Sequence, residues 1–252
     1  MVDTHRYGLL GKSLNHSHSP ALFAQRFKRE GLDSASYSLF ELDDISQFHT
    51  WLYEIENRLG TLNGLNVTVP YKESIVPLLK GLSREALAIG AVNAIKPMRG
   101  QGWIGHNTDA QGFLNSIRPF LRSDHERALI IGNGGAARAV RHGLKELGIQ
   151  VIHVTRKDVA WPSVRYADLS PEAVHHYKLI VHCTPVGTYP NVHESVPFPW
   201  TGVTPQHLVV DLIYNPVETQ FLQEARLRGA ETMNGRDMLH AQAEAAWRWW
   251  NA

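Results

Sequence analysis

One segment in the second half of the chain constrains the fold more than any other. Residues 128–131 are all apolar, which is typical of a β-strand buried on both faces. They run directly into Gly132-Asn-Gly134-Gly-Ala-Ala137, which fits the pattern G-x-G-x-x-G/A and opens a helical pattern that stops at Gly148. Glycine permits a tight turn and lets the backbone approach a pyrophosphate, and the start of a helix offers unpaired N–H groups. This context favours a dinucleotide-binding turn over a tight turn without a ligand.

Further short apolar strands follow at the spacing of a parallel sheet. They are predicted over 151–154, 179–182 and 208–213, and a helix is predicted over 218–228. Short strands that alternate with helices through short connections form a doubly wound sheet with helices on both faces. A last helix is predicted over 237–250, and its apolar stripe is expected to pack in a core or an interface.

The residues after the strand at 151–154 distinguish between the two nicotinamide cofactors. NAD-binding units usually place an Asp or Glu there, which bonds the ribose 2′-hydroxyl. This chain instead has Thr155, Arg156 and Lys157. A guanidinium offers a planar fork of donors suited to a 2′-phosphate, which a carboxylate would repel. We therefore predict NADP rather than NAD, with a solvated basic turn as the alternative because Asp158 follows directly.

The first half of the chain also alternates between strand and helix patterns, as in an α/β fold. Polar side chains stand at its strand ends and turns, where ligands bind in open α/β sheets. Ser17 and Ser19 precede a helix, and taken alone they favour helix capping over anion binding. Three more polar residues stand at alternating positions from the end of a strand predicted over 62–69, where they can share a side: Asn66, Thr68 and Lys72.

Composition excludes several classes of protein. The chain has 25 Lys and Arg against 24 Asp and Glu, a formal charge of +1, which is too balanced for a general nucleic-acid or membrane-surface binder. Its one cysteine, Cys183, excludes an intrachain disulfide and any multi-thiolate metal site. The 14 histidines are scattered without metal-site spacing, so we predict no metal. Because the start is polar and no apolar run approaches the ~20 residues that span a bilayer, we expect a cytoplasmic protein.

Eight motifs occur in order along essentially the whole chain. They are H-S-x-S-P at 16–20, N-V-T-V-P-x-K at 66–72, G-A-V-N at 90–93, N-T-D at 107–109, G-x-G-G-A at 132–136, T-P-x-G at 184–187, D-x-x-Y at 211–214 and G-x-x-M-L-x-x-Q at 235–242. Together they resemble the pattern of the shikimate dehydrogenase family, compact bacterial type. The chain departs from that pattern at Lys12-Ser13, where many members have Asn-Pro, at His182, where Asn is usual, and at Thr155, where Asn often precedes the arginine.

The resemblance implies the reversible NADP-dependent reduction of 3-dehydroshikimate to shikimate, in aromatic amino-acid biosynthesis. It implies a two-domain α/β fold with the active site in the cleft between the domains. An N-terminal α/β substrate domain would comprise residues 1–108 and 236–252, and a Rossmann-type, doubly wound NADP-binding domain would comprise residues 109–235. We expect a monomer or homodimer with a small-molecule substrate and without a nucleic-acid or membrane partner.

Carried over position by position, the resemblance also implies roles for single residues. Lys72 would be the catalytic acid/base, paired with Asp109. An ammonium suits that role because reducing a ketone leaves a developing alkoxide that needs a proton. The residues implied to bind the substrate are Ser17, Ser19, Asn66, Thr68, Asn93, Tyr214 and Gln242. Those implied to bind NADP are Gly132, Asn133, Gly134, Gly135, Ala136, Thr155, Arg156, Lys157, Thr184, Leu212 and Gly235.

Two alternatives stay open on the sequence. A quinate/shikimate dehydrogenase of broader specificity would tolerate an extra ring hydroxyl, but such enzymes often favour NAD, which Arg156 argues against. A non-catalytic sensor of NADP or an aromatic acid would keep the fold and lose the acid/base pair, whereas Lys72 and Asp109 are both present. Cys183 is interpreted as a small buried residue rather than a nucleophile, because it lacks an assigned base partner.

Overall fold

The chain divides into two compact units by its internal contacts. The computed structural model describes residues 5–98, 100, 102–156 and 161–252. The first unit consists of Met1–Thr108 and Gln242–Ala252, and the second of Asp109–Ala241. The second boundary therefore falls inside the last helix, whereas the sequence places it before that helix, at 235/236. Which unit takes which ligand is a separate prediction.

The first unit is built on a mixed sheet of six strands in the order β2-β1-β3-β5-β6-β4. The strands are β1 (Arg6–Gly11), β2 (Ser36–Glu41), β3 (Gly64–Val67), β4 (Gly81–Leu82), β5 (Ala94–Met98) and β6 (Gly102–His106). β1 pairs in parallel with β2 and β3, while β5 runs antiparallel to β3 and β6. The helices are α1 (Ser19–Glu30), α2 (Phe48–Leu59), α3 (Tyr71–Ser74) and α4 (Arg84–Ile89).

Local sequence signals explain where these helices begin and end. Pro20 stands in the first turn of α1, where its missing N–H costs nothing, and Gly31 ends the helix in the left-handed conformation at φ +68°. Ser83 caps α4 by accepting a hydrogen bond from the backbone N–H of Ala86. Apolar side chains form one core with α2, around Phe48 and Leu65, and another with α1. Both faces of the sheet are therefore covered.

The second unit is a fully parallel sheet in the order β12-β11-β10-β7-β8-β9. Its strands are β7 (Arg127–Ile131), β8 (Gln150–Thr155), β9 (Ser163–Arg165), β10 (Leu179–His182), β11 (Leu208–Asp211) and β12 (Glu231–Met233). Its helices are α5 (Asp109–Ile117), α6 (Gly135–Glu146), α7 (Pro171–His176), α8 (Gln220–Leu227) and α9 (Arg236–Trp250), of which α9 ends in the first unit. Numbered within the unit, this is the order 3-2-1-4-5-6 of dinucleotide-binding sheets.

The central strands of this unit are buried on both faces, which confirms the doubly wound prediction. Along β7, Ala128 and Ile130 belong to one core, and Leu129 and Ile131 belong to the core on the opposite side. The same alternation recurs along β10 and β11. A strand buried this way must be apolar at every position rather than at every second one.

Some of the predicted elements are wrong. The strand predicted over 62–69 is only Gly64–Val67. Pro70 has no N–H to give to a ladder, and the backbone N–H of Tyr71 donates to the carbonyl of Thr68, which turns the chain into α3. Lys72 therefore stands on a helical turn, and the expected alternation ends at Thr68. The sequence prediction also missed α5, α7, β4, β9 and β12. Within the described ranges, no helix is both long and apolar enough to cross a membrane.

Candidate active site

Buried amide side chains gather in the first unit where β3 and β5 lie side by side. Asn66 and Asn93 are 5% and 2% exposed. Asn66 Nδ2 donates to the backbone carbonyl of Asn93 over 3.1 Å. Asn93 Nδ2 donates to Thr108 Oγ1 over 2.9 Å and contacts Gln242 Oε1 at 3.4 Å, and the Thr108 backbone N–H donates to Asn93 Oδ1 over 2.7 Å. Three predicted substrate-binding residues, Asn66, Asn93 and Gln242, are thus brought into one hydrogen-bonded group.

Tyr37 on β2 extends this group, and sequence reasoning missed it. Its hydroxyl donates to Asn66 Oδ1 over 2.8 Å and hydrogen-bonds with the Ser19 side chain. Its ring stacks on Phe23 with a centroid distance of 4.2 Å. Burial raises the pKa of the Tyr37 phenol above its usual range, so the phenol stays neutral and donates. Ser19 and Asn66 are therefore linked through a residue whose only sequence signal, an aromatic position in a strand, ordinarily indicates core packing.

Two further predicted substrate-binding residues lie near this network: Ser17 on the loop after β1, and Thr68 just beyond β3. Ser17 Oγ accepts from the backbone N–H of Ser19, the first residue of α1, over 3.2 Å. This bond closes the turn that leads into α1, but the N-cap residue of the helix is His18 and it makes no side-chain cap, so the capping favoured for the two serines is not what the structure shows. A β-carbon at Gly11 would lie 2.7 Å from Thr68 Cγ2 and 2.6 Å from Leu14 Cδ2, so only glycine permits this approach.

The predicted acid/base pair is divided between the two units. Lys72 lies on α3, and its backbone carbonyl accepts from the N–H of Val92 over 2.7 Å, which ties α3 to the segment that leads to Asn93. Asp109 is 3% exposed and is the first residue of α5 in the second unit. The pairing of Lys72 with Asp109 stays a prediction.

In the second unit, the glycine turn leads from β7 into α6. Gly132 has φ +115°, which residues with a side chain rarely adopt, and its N–H donates to the Val154 carbonyl over 3.0 Å. Asn133 and Gly134 are exposed. Gly134 is the N-cap residue of α6 and makes no side-chain cap, and the first turn carries no acidic residue. The turn thus offers backbone N–H groups and the positive end of a helix dipole to an anion.

The predicted phosphate-binding residues lie at the end of β8. Thr155 is 4% exposed, and Arg156 is exposed, while Lys157 lies outside the described residues. Sequence reasoning missed two further cations here: the guanidinium carbons of Arg138 and Arg141 on α6 lie 4.9 and 5.1 Å from the ring centroid of Trp161. Their spacing of three residues just after the glycine turn was the available signal, because it places both on one side of the helix.

The remaining predicted cofactor residues meet where β7, β10 and β11 end. The N–H of Cys183 donates to the last carbonyl of β7 over 2.8 Å, and the N–H of Leu212 donates to the last carbonyl of β10 over 3.0 Å. A β-carbon at Gly132 would lie 3.1 Å from Thr184 Cγ2, and one at Gly235 would lie 2.0 Å from the Leu212 carbonyl oxygen. Gly132 is therefore a neighbour of Thr184, and Gly235 is a neighbour of Leu212. Tyr214, just beyond β11, is partly buried in the same unit, and its role with the substrate stays a prediction.

The described residues of this unit show neither the arrangement of a metal site nor an activated thiol. Of the described residues, no group of three or more His, Cys, Asp and Glu side chains is arranged to hold a metal ion. Burial raises the pKa of the Cys183 thiol well above its ordinary value, and the Asp211 and Asp109 carboxylates act in the same direction. The thiol therefore stays protonated at neutral pH, which agrees with its interpretation as a packing residue.

Comparison with known proteins places this geometry in a family. Residues 9–95 match the family model described as the shikimate dehydrogenase substrate binding domain. The chain is 35% identical to shikimate dehydrogenase (NADP(+)) of Desulforamulus reducens over 96% of this chain and 88% of that protein. It is 34% identical to the protein of the same name from Carboxydothermus hydrogenoformans, over 98% of this chain and 92% of that one.

Solved structures agree with these matches. The shikimate dehydrogenase of Aquifex aeolicus superposes with a TM-score of 0.86 at 32% identity, over 98% of this chain and 92% of that one. The shikimate 5-dehydrogenase of Thermus thermophilus, solved in complex with NADP(H) and shikimate, gives a TM-score of 0.84 at 31% identity, over 98% and 93%. With a parallel dinucleotide-type sheet in one unit and a buried amide network in the other, the chain belongs to the shikimate dehydrogenase family.

Proposed function

We propose that this protein is an NADP-dependent shikimate dehydrogenase, which reversibly reduces 3-dehydroshikimate to shikimate. The observation that carries the proposal is full-length similarity to relatives named for that activity, over a chain that retains the acid/base residues Lys72 and Asp109. The Thermus thermophilus relative was solved with both NADP(H) and shikimate. The first unit would bind the substrate and the second would bind NADP.

The amide and hydroxyl groups of the first unit suit a ring that carries several hydroxyls. Amides both donate and accept, so the side chains of Asn66, Asn93 and Gln242 suit ring hydroxyls, which do the same. Their bonds to one another fix them before a ligand arrives, which lowers the entropy lost on binding. Ser17, Ser19 and Thr68 would add hydroxyl donors, with the two serines directed to the substrate carboxylate.

Proton transfer is assigned to Lys72. NADPH supplies a hydride to the ring carbonyl carbon, and the carbonyl oxygen must then gain a proton. The Lys72 ammonium would donate that proton and stabilise the developing negative charge, and in the oxidation direction the neutral amine would take the proton back. Asp109 would keep the ammonium charged and oriented, with Tyr214 completing the contacts to the substrate.

The second unit fits a dinucleotide that carries a 2′-phosphate. The conformation of Gly132 and the exposed Gly134 leave room for a pyrophosphate beside the first turn of α6. Arg156, at the end of β8, is exposed and would hold the 2′-phosphate together with Thr155 and Lys157. Asn133, Gly135, Ala136, Thr184, Leu212 and Gly235 would line the rest of the cofactor site.

Steady-state kinetics test this proposal directly. We expect efficient reduction of NADP with shikimate and much lower efficiency with quinate or with NAD. Lys72→Ala is expected to lower kcat by about 10²- to 10⁴-fold with a smaller change in KM for shikimate, because it removes a proton donor rather than a binding contact. Comparable efficiency with quinate and NAD would replace the assignment with a quinate/shikimate dehydrogenase. Unchanged turnover in Lys72→Ala would show that another group moves the proton.

A further inference from the structure

A buried chain of hydrogen bonds lies behind the cofactor turn, and two of its three side chains, His182 and Asp211, have no role in the proposed mechanism. It begins at Asp211, the last residue of β11, and passes through His182, the last residue of β10, to Thr184. The side chains of His182 and Asp211 are 1% and 0% exposed. His182 Nδ1 lies 3.1 Å from Asp211 Oδ1, and His182 Nε2 lies 2.5 Å from Thr184 Oγ1. The imidazole therefore bridges a carboxylate and a hydroxyl.

The surroundings of Asp211 fix the orientation of the imidazole. The backbone N–H of Ile213 donates to Asp211 Oδ1 over 3.0 Å, and the Thr219 hydroxyl donates to Oδ2 over 2.6 Å. A carboxylate that receives these bonds can only accept, so Nδ1 of His182 carries a proton and donates. The ring also stacks on Phe221 at a centroid distance of 4.8 Å. His182 is thus held in one place by its own partners, independently of Thr184.

Thr184 connects the fixed imidazole to the glycine turn. Its Oγ1 contacts His182 and accepts from the backbone N–H of Val186 at 3.3 Å. With the hydroxyl fixed, the methyl is fixed too, because a β-branched side chain has few rotamers. That methyl lies against Gly132, where a β-carbon would come within 3.1 Å of it. The position of the imidazole therefore sets the packing beneath the residue at φ +115°.

We propose that His182 is a positioning residue, which acts through Thr184 to hold the turn at Gly132 in the shape that receives NADP. This inference rests on the proposed function, because it takes that turn as the cofactor site. The order hydroxyl, imidazole, carboxylate also occurs in hydrolases, where the imidazole takes a proton from an attacking hydroxyl. Here the imidazole is buried and the methyl of Thr184 packs on Gly132, which assigns the chain of bonds to support of the turn.

Two variants break the bridge at different bonds. His182→Asn shortens the side chain, so that its amide can still donate to Asp211 but no longer reaches Thr184. Thr184→Val keeps the shape and the methyl but removes the hydroxyl. Each is expected to raise the Kd for NADPH, measured by fluorescence titration of the full chain, by about five- to tenfold, and His182→Asn should leave kcat at saturating NADP within about twofold of the parent value. The double variant should have a Kd for NADPH no higher than that of the single variant with the larger loss, because both changes remove the same interaction.

A spectroscopic measurement tests the bridge without any cofactor. In the 15N-labelled protein, Thr184→Val should shift the Nε2 resonance of His182 and leave its Nδ1 resonance nearly unchanged. His207→Asn is the matched control, because His207 is also 0% exposed in the second unit but hydrogen-bonds with Thr204 and with the Val174 carbonyl. It should lower the melting temperature without changing the Kd for NADPH.

Several outcomes would overturn the inference. A Kd for His182→Asn and Thr184→Val within twofold of the parent value would do so, as would an equal loss of affinity in His207→Asn. If His182→Asn does not fold, the 15N measurement still decides, because an unshifted His182 Nε2 resonance in Thr184→Val would show that the imidazole does not hold Thr184. A parent protein that binds no NADPH at all would instead refute the proposed function, whereas normal binding with unaffected variants refutes only the role of His182.

Discussion

The hydroxyl of Tyr37 offers a sharp test of the network in the first unit. Tyr37→Phe removes one oxygen, and the ring can stay on Phe23, where it stacks at 4.2 Å and 6°. What is lost is the 2.8 Å bond to Asn66 Oδ1 and the bond with the Ser19 side chain. Since Asn66 is 5% exposed, little water can replace the missing donor. We therefore assign the substitution the cost of an unsatisfied buried acceptor, about 1–3 kcal/mol.

The expected result is a loss of stability together with weaker substrate binding. A change of about 1–3 kcal/mol corresponds to a fall in Tm of roughly 2–12 °C for a chain of this size. KM for shikimate should rise, because both Ser19 and Asn66 lose the group that orients them, while KM for NADP stays constant. Thermal unfolding and steady-state kinetics measure the two effects. Tyr53→Phe is the matched control, since Tyr53 is 70% exposed and should tolerate the change. If Tyr37→Phe behaves like that control in both assays, the reasoning about the network is wrong.

Three further predictions concern the second unit and its response to pH. Gly134→Ala should leave stability unchanged, because a β-carbon there has nothing within 4 Å, yet weaken NADPH binding by about tenfold or more in a fluorescence titration, because the methyl occupies the approach to the pyrophosphate. Arg156→Ala should raise KM for NADP by about tenfold and leave KM for NAD unchanged; an equal effect on both would mean that Arg156 does not contact the 2′-phosphate. Burial lowers the pKa of four histidines in the folded chain. Below about pH 6.5 the unfolded chain therefore binds more protons than the folded chain, and the free energy of unfolding should decrease from pH 7.5 to pH 5.5. Urea midpoints at the two pH values measure this, and an unchanged midpoint would contradict it; the four residues are His106, His125, His153 and His207.

The strands at the centre of the second sheet were predictable because burial on both faces leaves a continuous apolar run. The edge strands were not, because β9 and β12 have three residues each and one paired neighbour, so no such run is required of them. Helix α5 was missed because it begins in the polar sequence around Asp109 and contains Gly112. The helix is stabilised by the burial of Phe113, Leu114 and Ile117 on one face, and that burial exists only in the packed tertiary structure.

In the candidate site, too, some features could be predicted from the sequence and others could not. The glycine turn could be predicted because its requirement is local: a backbone conformation and an approach that only glycine permits. Tyr37 could not, because its role depends on Ser19 and Asn66, which are distant along the chain and meet only in the folded sheet. The link between His182 and Asp211 spans 29 residues and arises from the pairing of β10 with β11, so no motif contains it.

The two units present their predicted binding groups in opposite ways, and this difference determines what a substitution in each unit can show. In the first unit the groups predicted to bind the substrate include buried side chains such as Asn93, which is 2% exposed and bonded to Thr108 and Gln242. Removing such a group leaves its partners unsatisfied, so stability and substrate affinity must fall together. At the glycine turn the groups offered are backbone N–H groups, and Gly134 has open space where a side chain would stand. A substitution at Gly134 is therefore expected to change cofactor affinity without changing stability, so binding can be separated from folding at that position.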